Sequence, residues 1–184
     1  MDDIVKQALK KWPNVPDCWG WLGLDMRGNW WLRDMEAQAL GPFAQSKGSL
    51  LEHEKLRDFI GRNYEPNAQG AWFFQNGPQR VYVELECAPM VWRVHTDGRV
   101  ASHTGLEVHT VQQCLLDEEG RVYLQCDGVL GVVHTQDVLY AAEAIESGCW
   151  QPEAVQAAAL PARFGFVRSP QQAQAAEAAQ VAAE

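Results

Sequence analysis

With 184 residues, 47% hydrophobic and 21% charged, the chain can form one ordinary domain or two small units, and its composition is globular rather than disordered. Its 15 basic residues are scattered among 24 acidic ones, for a net charge of −9. That balance argues against nucleic acid and anionic membrane surfaces, which need clustered Lys and Arg.

Eight Trp residues point to a core built on aromatic burial. The five cysteines (Cys18, Cys87, Cys114, Cys126, Cys149) form no CxxC, so reduced, mostly buried thiols in a cytoplasmic protein are expected. Met1-Asp2-Asp3 opens no apolar segment, so no signal peptide is expected. No run approaches the ~18 apolar residues of a membrane span.

Residues 2–11 predict a short amphipathic helix, with Asp2 and Asp3 at its start, Lys10 and Lys11 at its end, and an Ile4, Val5, Ala8, Leu9 stripe. Pro13 and Pro16 stop it. Next come two strands around an Asp25-Met26-Arg27-Gly28 turn, with Trp19 and Trp21 on one face and Trp30-Trp31-Leu32 on the return. Residues 34–49 read as loop. Leu50–Tyr64 predicts a helix capped by Ser49, with Leu56, Phe59 and Ile60 facing inward.

Trp72–Val94 is the central stretch. Trp72–Gln75, Val81–Cys87 and Val91–Val94 predict an antiparallel meander, broken by Asn76-Gly77-Pro78 and Ala88-Pro89. Within the second run, Val81, Val83, Leu85 and Cys87 alternate with Tyr82, Glu84 and Glu86, as in a strand with one wet face. His95–Gly98 is a further turn. Val108–Leu116 and Arg121–Gln125 make a hairpin across Asp117–Gly120, and Val129–Val133 is a short apolar strand. Thr135 caps a helix lined by Val138, Leu139, Ala142 and Ile145, and Gly148 ends it. Residues 151–160 read as one more short helix. Beyond Ser169 the chain is Ala, Gln and Glu with little to bury, and is expected to be disordered.

Leu24-Asp25-x-x-Gly28-x-Trp30-Trp31-Leu32 matches Leu116-Asp117-x-x-Gly120-x-Val122-Tyr123-Leu124, and Asn67-x-x-Gly70-x-Trp72-Phe73-Phe74 is a looser copy. A helix trails the first and last copies. This reads as a duplicated hairpin-plus-helix unit, although D-x-x-G-x-aromatic is also good hairpin chemistry that can recur by itself.

Gly28–Trp31, Leu56–Ile60, Gly70–Phe74, Val81–Pro89 (VYVELECAP), Gly128–Val133, Leu139–Tyr140 and Gly148–Trp150 occur in an order that resembles a bacterial family of uncharacterised proteins with a V-x-V-E-x-A-P segment, or a sister family of it. Cys87 stands where that pattern has an acidic residue. The resemblance spans most of residues 20–167. It implies an α+β fold with repeated motifs and a signalling role, and brings no catalytic residues with it.

Three groups of residues are candidates for binding. Gln75, Asn76 and Arg80, flanked by Trp72 and Tyr82, could hold a carboxylate or phosphate; the alternative is a plain turn with Arg80 paired to Glu84 or Glu86. Trp19, Trp21, Trp30 and Trp31 could stack a sugar or grip a peptide, or simply pack the core. His95, His103 and His109 share one region with Asp97 and Glu107, but nothing in their spacing fixes a metal site. His134, just before a helix, could serve as base or anion ligand, or as a local cap.

The sequence therefore predicts an α+β protein of antiparallel hairpins and a meander, with helices packed on one face and a duplicated hairpin-plus-helix unit. Its expected parts are residues 1–66, 67–168 and a tail at 169–184. The expected function is a cytoplasmic, regulatory module that binds a small ligand or protein through Arg80, Gln75, Asn76, Trp72 and His134. The alternative is a small-molecule enzyme using His134 or Arg80 in a cleft between the repeat units. No catalytic residue, metal or cofactor is assigned. An edge strand could pair across a twofold axis to make a homodimer.

Overall fold

The computed structural model describes residues 1–182. Asp3 in the first turn and Lys10 and Lys11 in the last suit the dipole of α1 (Asp3–Lys11), which buries Val5. A hairpin follows, β1 (Cys18–Leu24) and β2 (Trp30–Leu32). Asp25 ties its turn by accepting from the Asn29 amide at 2.9 Å and the Trp31 indole at 2.9 Å. The expected loop contains a short helix, α2 (Met35–Ala39), capped by Asp34, which accepts from the Ala37 amide at 2.8 Å. Ser49 does not cap a helix; it lies in β3 (Ser49–Leu50), paired to β2. The next helix, α3 (Glu54–Arg62), is capped instead by His53, whose Nδ1 accepts from the Leu56 amide at 3.3 Å. A meander of β4 (Tyr64–Pro66), β5 (Trp72–Asn76) and β6 (Gln79–Leu85) completes the first sheet, in the order β3-β2-β1-β6-β5-β4.

The third run of the expected meander leaves at Ala88-Pro89. It becomes β7 (Met90–Val94), the first strand of a second sheet, and forms a hairpin with β8 (Val100–Ser102). A meander of β9 (Val111–Leu116), β10 (Val122–Cys126) and β11 (Val129–Val133) follows. Then come α4 (Val138–Glu146), β12 (Pro152–Ala154) and α5 (Leu160–Phe164); where one short helix was expected over 151–160, β12 is followed by a 3-10 turn at Ala157–Ala159 that leads into α5. The second sheet runs β12-β9-β10-β11-β7-β8. Thr135 is not the cap of α4. Asp137 holds that position, and its carboxylate accepts from Arg93 Nε at 2.5 Å and the Val94 amide at 3.2 Å.

The last helix, α6 (Pro170–Val181), occupies the stretch expected to be disordered, of which residues 183–184 lie outside the described residues. It belongs to the first unit. Glu84 on β6, 3% exposed, accepts from Ser169 Oγ at 2.5 Å and from the Gln171 amide at 2.9 Å. The carboxylate thus meets orphan donors at the helix start. Nor is the Tyr82 end of that face wet: Trp19 stacks on Tyr82, which is 2% exposed. The alternation is real, but α6 packs on β6 and β1.

Contacts divide the chain at Glu86 and Cys87 rather than at residue 66, because β4–β6 are needed to complete the sheet begun by β1 and β2. The first unit comprises Met1–Asp25, Asn29–Glu86 and the chain from Phe166 onward; the second comprises Met26–Gly28 and Cys87–Gly165.

The two sheets are similar. Each contains a hairpin, then a three-stranded meander whose last strand lies parallel to the first strand of the hairpin: β1 with β6, β7 with β11. The duplication is therefore present, but its copies correspond differently from the sequence match. By topology the Asp117 turn answers to the Asn67 turn, and the Asp25 turn to the His95 turn. Asp25 and Asp117 looked equivalent because both side chains accept from the amide four residues ahead, Asn29 at 2.9 Å and Arg121 at 2.8 Å. Asn67 does the same with Ala71, at 2.9 Å. This is one turn chemistry used at different places in the sheet.

Candidate ligand groove

Helix α3 places Leu56 and Ile60 four residues apart, on one face. Phe59 meets Phe74 edge-on, with ring centroids 5.5 Å apart, and so seats the helix on β5. Between α3 and the sheet lies a groove of about 510 Å³. Its floor is Leu22, Ile60 and Phe74, each no more than 5% exposed. Its walls are Trp21, Leu32 and Leu56, which remain 43%, 46% and 38% exposed. Asp34, Ser49 and Asn76 supply polar groups, and Cys18 and Val81 complete the lining. Burial raises the pKa of the Cys18 thiol, which disfavours a thiolate nucleophile.

Gly20 decides how the tryptophans are used. It has φ +77° in the middle of β1, and the register slips between Cys18 and Leu22. Trp19 and Trp21, expected on one face, part there. Trp19 stacks on Tyr82 at 3.8 Å with the rings 4° apart, whereas Trp21 lines the groove with Val81, whose side chain leaves β6 on the side opposite Tyr82. Trp30 is core, edge-on to Tyr64 at 5.1 Å, and Trp31 is held by Asp25.

Arg33 carries the only cationic side chain of the lining, and all three of its nitrogens donate to backbone carbonyls. It is 1% exposed and donates to Ser46 O at 3.0 Å, Gly20 O at 3.2 Å and Gly41 O at 2.6 Å. Burial lowers its pKa, while the nearby Glu84 charge works the other way. Asp34 spends Oδ1 on the Ala37 amide; Oδ2 has no hydrogen-bond partner among the described residues.

Of the five residues singled out from sequence, Asn76 lines the groove. Arg80 pairs across from Gln75, on the opposite side of the sheet from Phe74, Asn76 and Val81, and its guanidinium lies 5.0 Å from the Phe73 ring centroid. Gln75 is 1% exposed, and its Nε2 donates to Gly77 O at 3.0 Å. Trp72 is buried against Tyr64 at 4.7 Å. His134 belongs to the second unit, where its Nδ1 accepts from the Gln136 amide at 3.1 Å. Glu84 and Glu86, the expected partners of Arg80, bind Ser169 and Gln171 in the first case and Lys47, at 2.9 Å, in the second. Among the described residues, no three His, Cys, Asp or Glu side chains gather as metal ligands.

Sequence reasoning missed Leu32, Asp34, Ser49 and Leu56 as groove residues. The available signal was Leu56 and Ile60 at helical spacing beside a Trp-Leu strand. The missing link was the bulge at Gly20.

The fold and the groove define a duplicated α+β protein with a largely apolar recess on its first sheet. Residues 1–171 match the family DUF2944, described as "Protein of unknown function (DUF2946)". The chain belongs to that family, in keeping with its resemblance to uncharacterised proteins of repeated α+β motifs. No curated protein matches the chain. It is similar in structure to a DUF1285 family protein from Silicibacter pomeroyi DSS-3, with a TM-score of 0.48 and 10% identity over 78% of this chain and 84% of that one. It is also similar to one from Shewanella baltica OS155, with a TM-score of 0.46 and 17% identity over 67% and 91%.

Proposed function

We propose that the protein is a binding module that holds a small amphipathic molecule in the groove between α3 and the first sheet, without turning it over. The observation that carries this reading is the groove itself, whose buried apolar floor and half-exposed apolar walls enclose about 510 Å³. Small-molecule sites typically span roughly 300–1,000 Å³ and are mostly apolar with a few placed polar groups. Asn76 is the polar contact that the sequence and the groove share. A regulatory role fits a module that binds without catalysis. The five free cysteines fit a reducing compartment such as the cytoplasm, and among the described residues no helix is long and apolar enough to cross a membrane.

The enzyme alternative needed His134 or Arg80 in a cleft. Neither lines this groove, so binding is the reading carried forward. A thermal-shift screen of indole, phenyl and branched aliphatic compounds tests it. Stabilisation by hits from that set, lost in Leu56→Asp, is the expected result. Hits that stabilise Leu56→Asp equally well would place binding elsewhere and overturn it.

A further inference from the structure

Resting on the binding reading, we propose that the groove selects a hydrophobic amine, a molecule with an aromatic or branched apolar body and one cationic head.

The selection follows from the charges around the recess. The lining holds one cation and one anion, Arg33 and Asp34, adjacent in sequence but turned to different tasks. Arg33 is sealed inside, its donors directed at the Gly20, Gly41 and Ser46 carbonyls. An anionic ligand head would find no guanidinium to meet it. Asp34 is exposed, and capping α2 uses only one of its oxygens. Ser49 and Asn76 contribute further oxygens that can accept hydrogen bonds. Trp21, 43% exposed, puts an aromatic ring in the wall on which a cation can stack. The net charge of −9 adds a favourable background for a positive ligand. The apolar body rests on Leu22, Ile60 and Phe74, between Leu32 and Leu56.

The test holds the body constant and varies the head: tryptamine (cation), tryptophol (neutral) and indole-3-propionate (anion), titrated calorimetrically into the full chain. Tryptamine is expected to bind about five- to tenfold more tightly than tryptophol, with indole-3-propionate weakest. Asp34→Asn should lower tryptamine affinity several-fold and narrow its margin over tryptophol, whose neutral head changes least. Asparagine is as good an N-cap as aspartate, so α2 survives the substitution. Trp21→Ala should weaken all three probes. Raising the salt should narrow the differences among the three probes, leaving tryptophol least affected.

Equal affinity for tryptamine and tryptophol in the wild type overturns the amine selection but leaves the groove reading intact. So does a preference that Asp34→Asn leaves undiminished. Binding of none of the three probes overturns both. Sedimentation run alongside covers the remaining occupant: a dimer that dissociates in Leu56→Asp means that a second copy fills the groove, and also overturns the proposal.

Discussion

At Gly20 the backbone takes φ +77°, and a Cβ built there would lie 2.5 Å from the Gln171 side chain. Two constraints therefore meet at one residue: a left-handed conformation that L side chains rarely adopt, and a neighbour that must shift. Gly20→Ala should lower the urea-unfolding free energy by about 1–2 kcal/mol. It should also change the emission of Trp21, since the same bulge aims that indole at the groove. Unchanged stability and emission would mean that the slip in β1 is held by something other than this glycine.

Among the elements, α4 is fastened to β7 by Asp137. Its carboxylate takes two bonds from Arg93, at 2.5 and 3.1 Å, and one from the Val94 amide. Burial works to raise its pKa, but the bonds and charge of Arg93, with help from the Val94 amide and His134, hold it below the usual carboxylate range. A carboxyl group whose folded pKa is depressed stabilises the fold fully above its unfolded pKa and loses that contribution as pH falls through the folded value. Denaturant midpoints measured from pH 7 down to about pH 3 should fall in the wild type. They should fall less steeply in Asp137→Asn, which lacks the contribution from the start. Parallel curves would remove Asp137 from the account of acid sensitivity.

Helix α6 packs on β6 and β1, and its start covers Glu84. Burial is the larger influence on Glu84 and raises its pKa, opposed by Ser169, the Gln171 amide and Arg33. A chain stopped after Arg168 keeps Val167, which packs on the Ala71, Phe73 and Tyr82 cluster, but deprives Glu84 of both donors. It should lose at least about 2 kcal/mol of unfolding free energy. An unchanged denaturation midpoint would mean that the helix is ornamental to the sheet.

For the molecule as a whole, local chemistry was legible and assembly was not. Strands β5, β6, β10 and β11, the turns at Asp25 and Asp117, and the α+β class follow from period-two alternation and from Asp or Asn ahead of Gly. The division of the chain did not follow, because the pairing of β1 with β6 is parallel and spans a long stretch that no local pattern reports. The expected wet face of β6 and the expected disordered tail were one error seen from two sides: Glu84 looked solvent-facing only while Ser169–Gln171 were left without a place to go. The groove was legible only in part, through Asn76 and the Leu56–Ile60 spacing, since Asp34 and Ser49 lie in a stretch read as loop or cap.

The first unit begins early in the sequence yet takes its final piece, from Phe166 onward, only after the whole of the second has been made. On a ribosome, the Ala71, Phe73 and Tyr82 cluster would lack Val167, and Glu84 its donors, throughout translation of the second unit, a window in which such a surface invites chaperones or self-association. Emergence of the segment from Phe166 onward, rather than of the groove strands, thus sets the earliest moment at which the first unit can be complete.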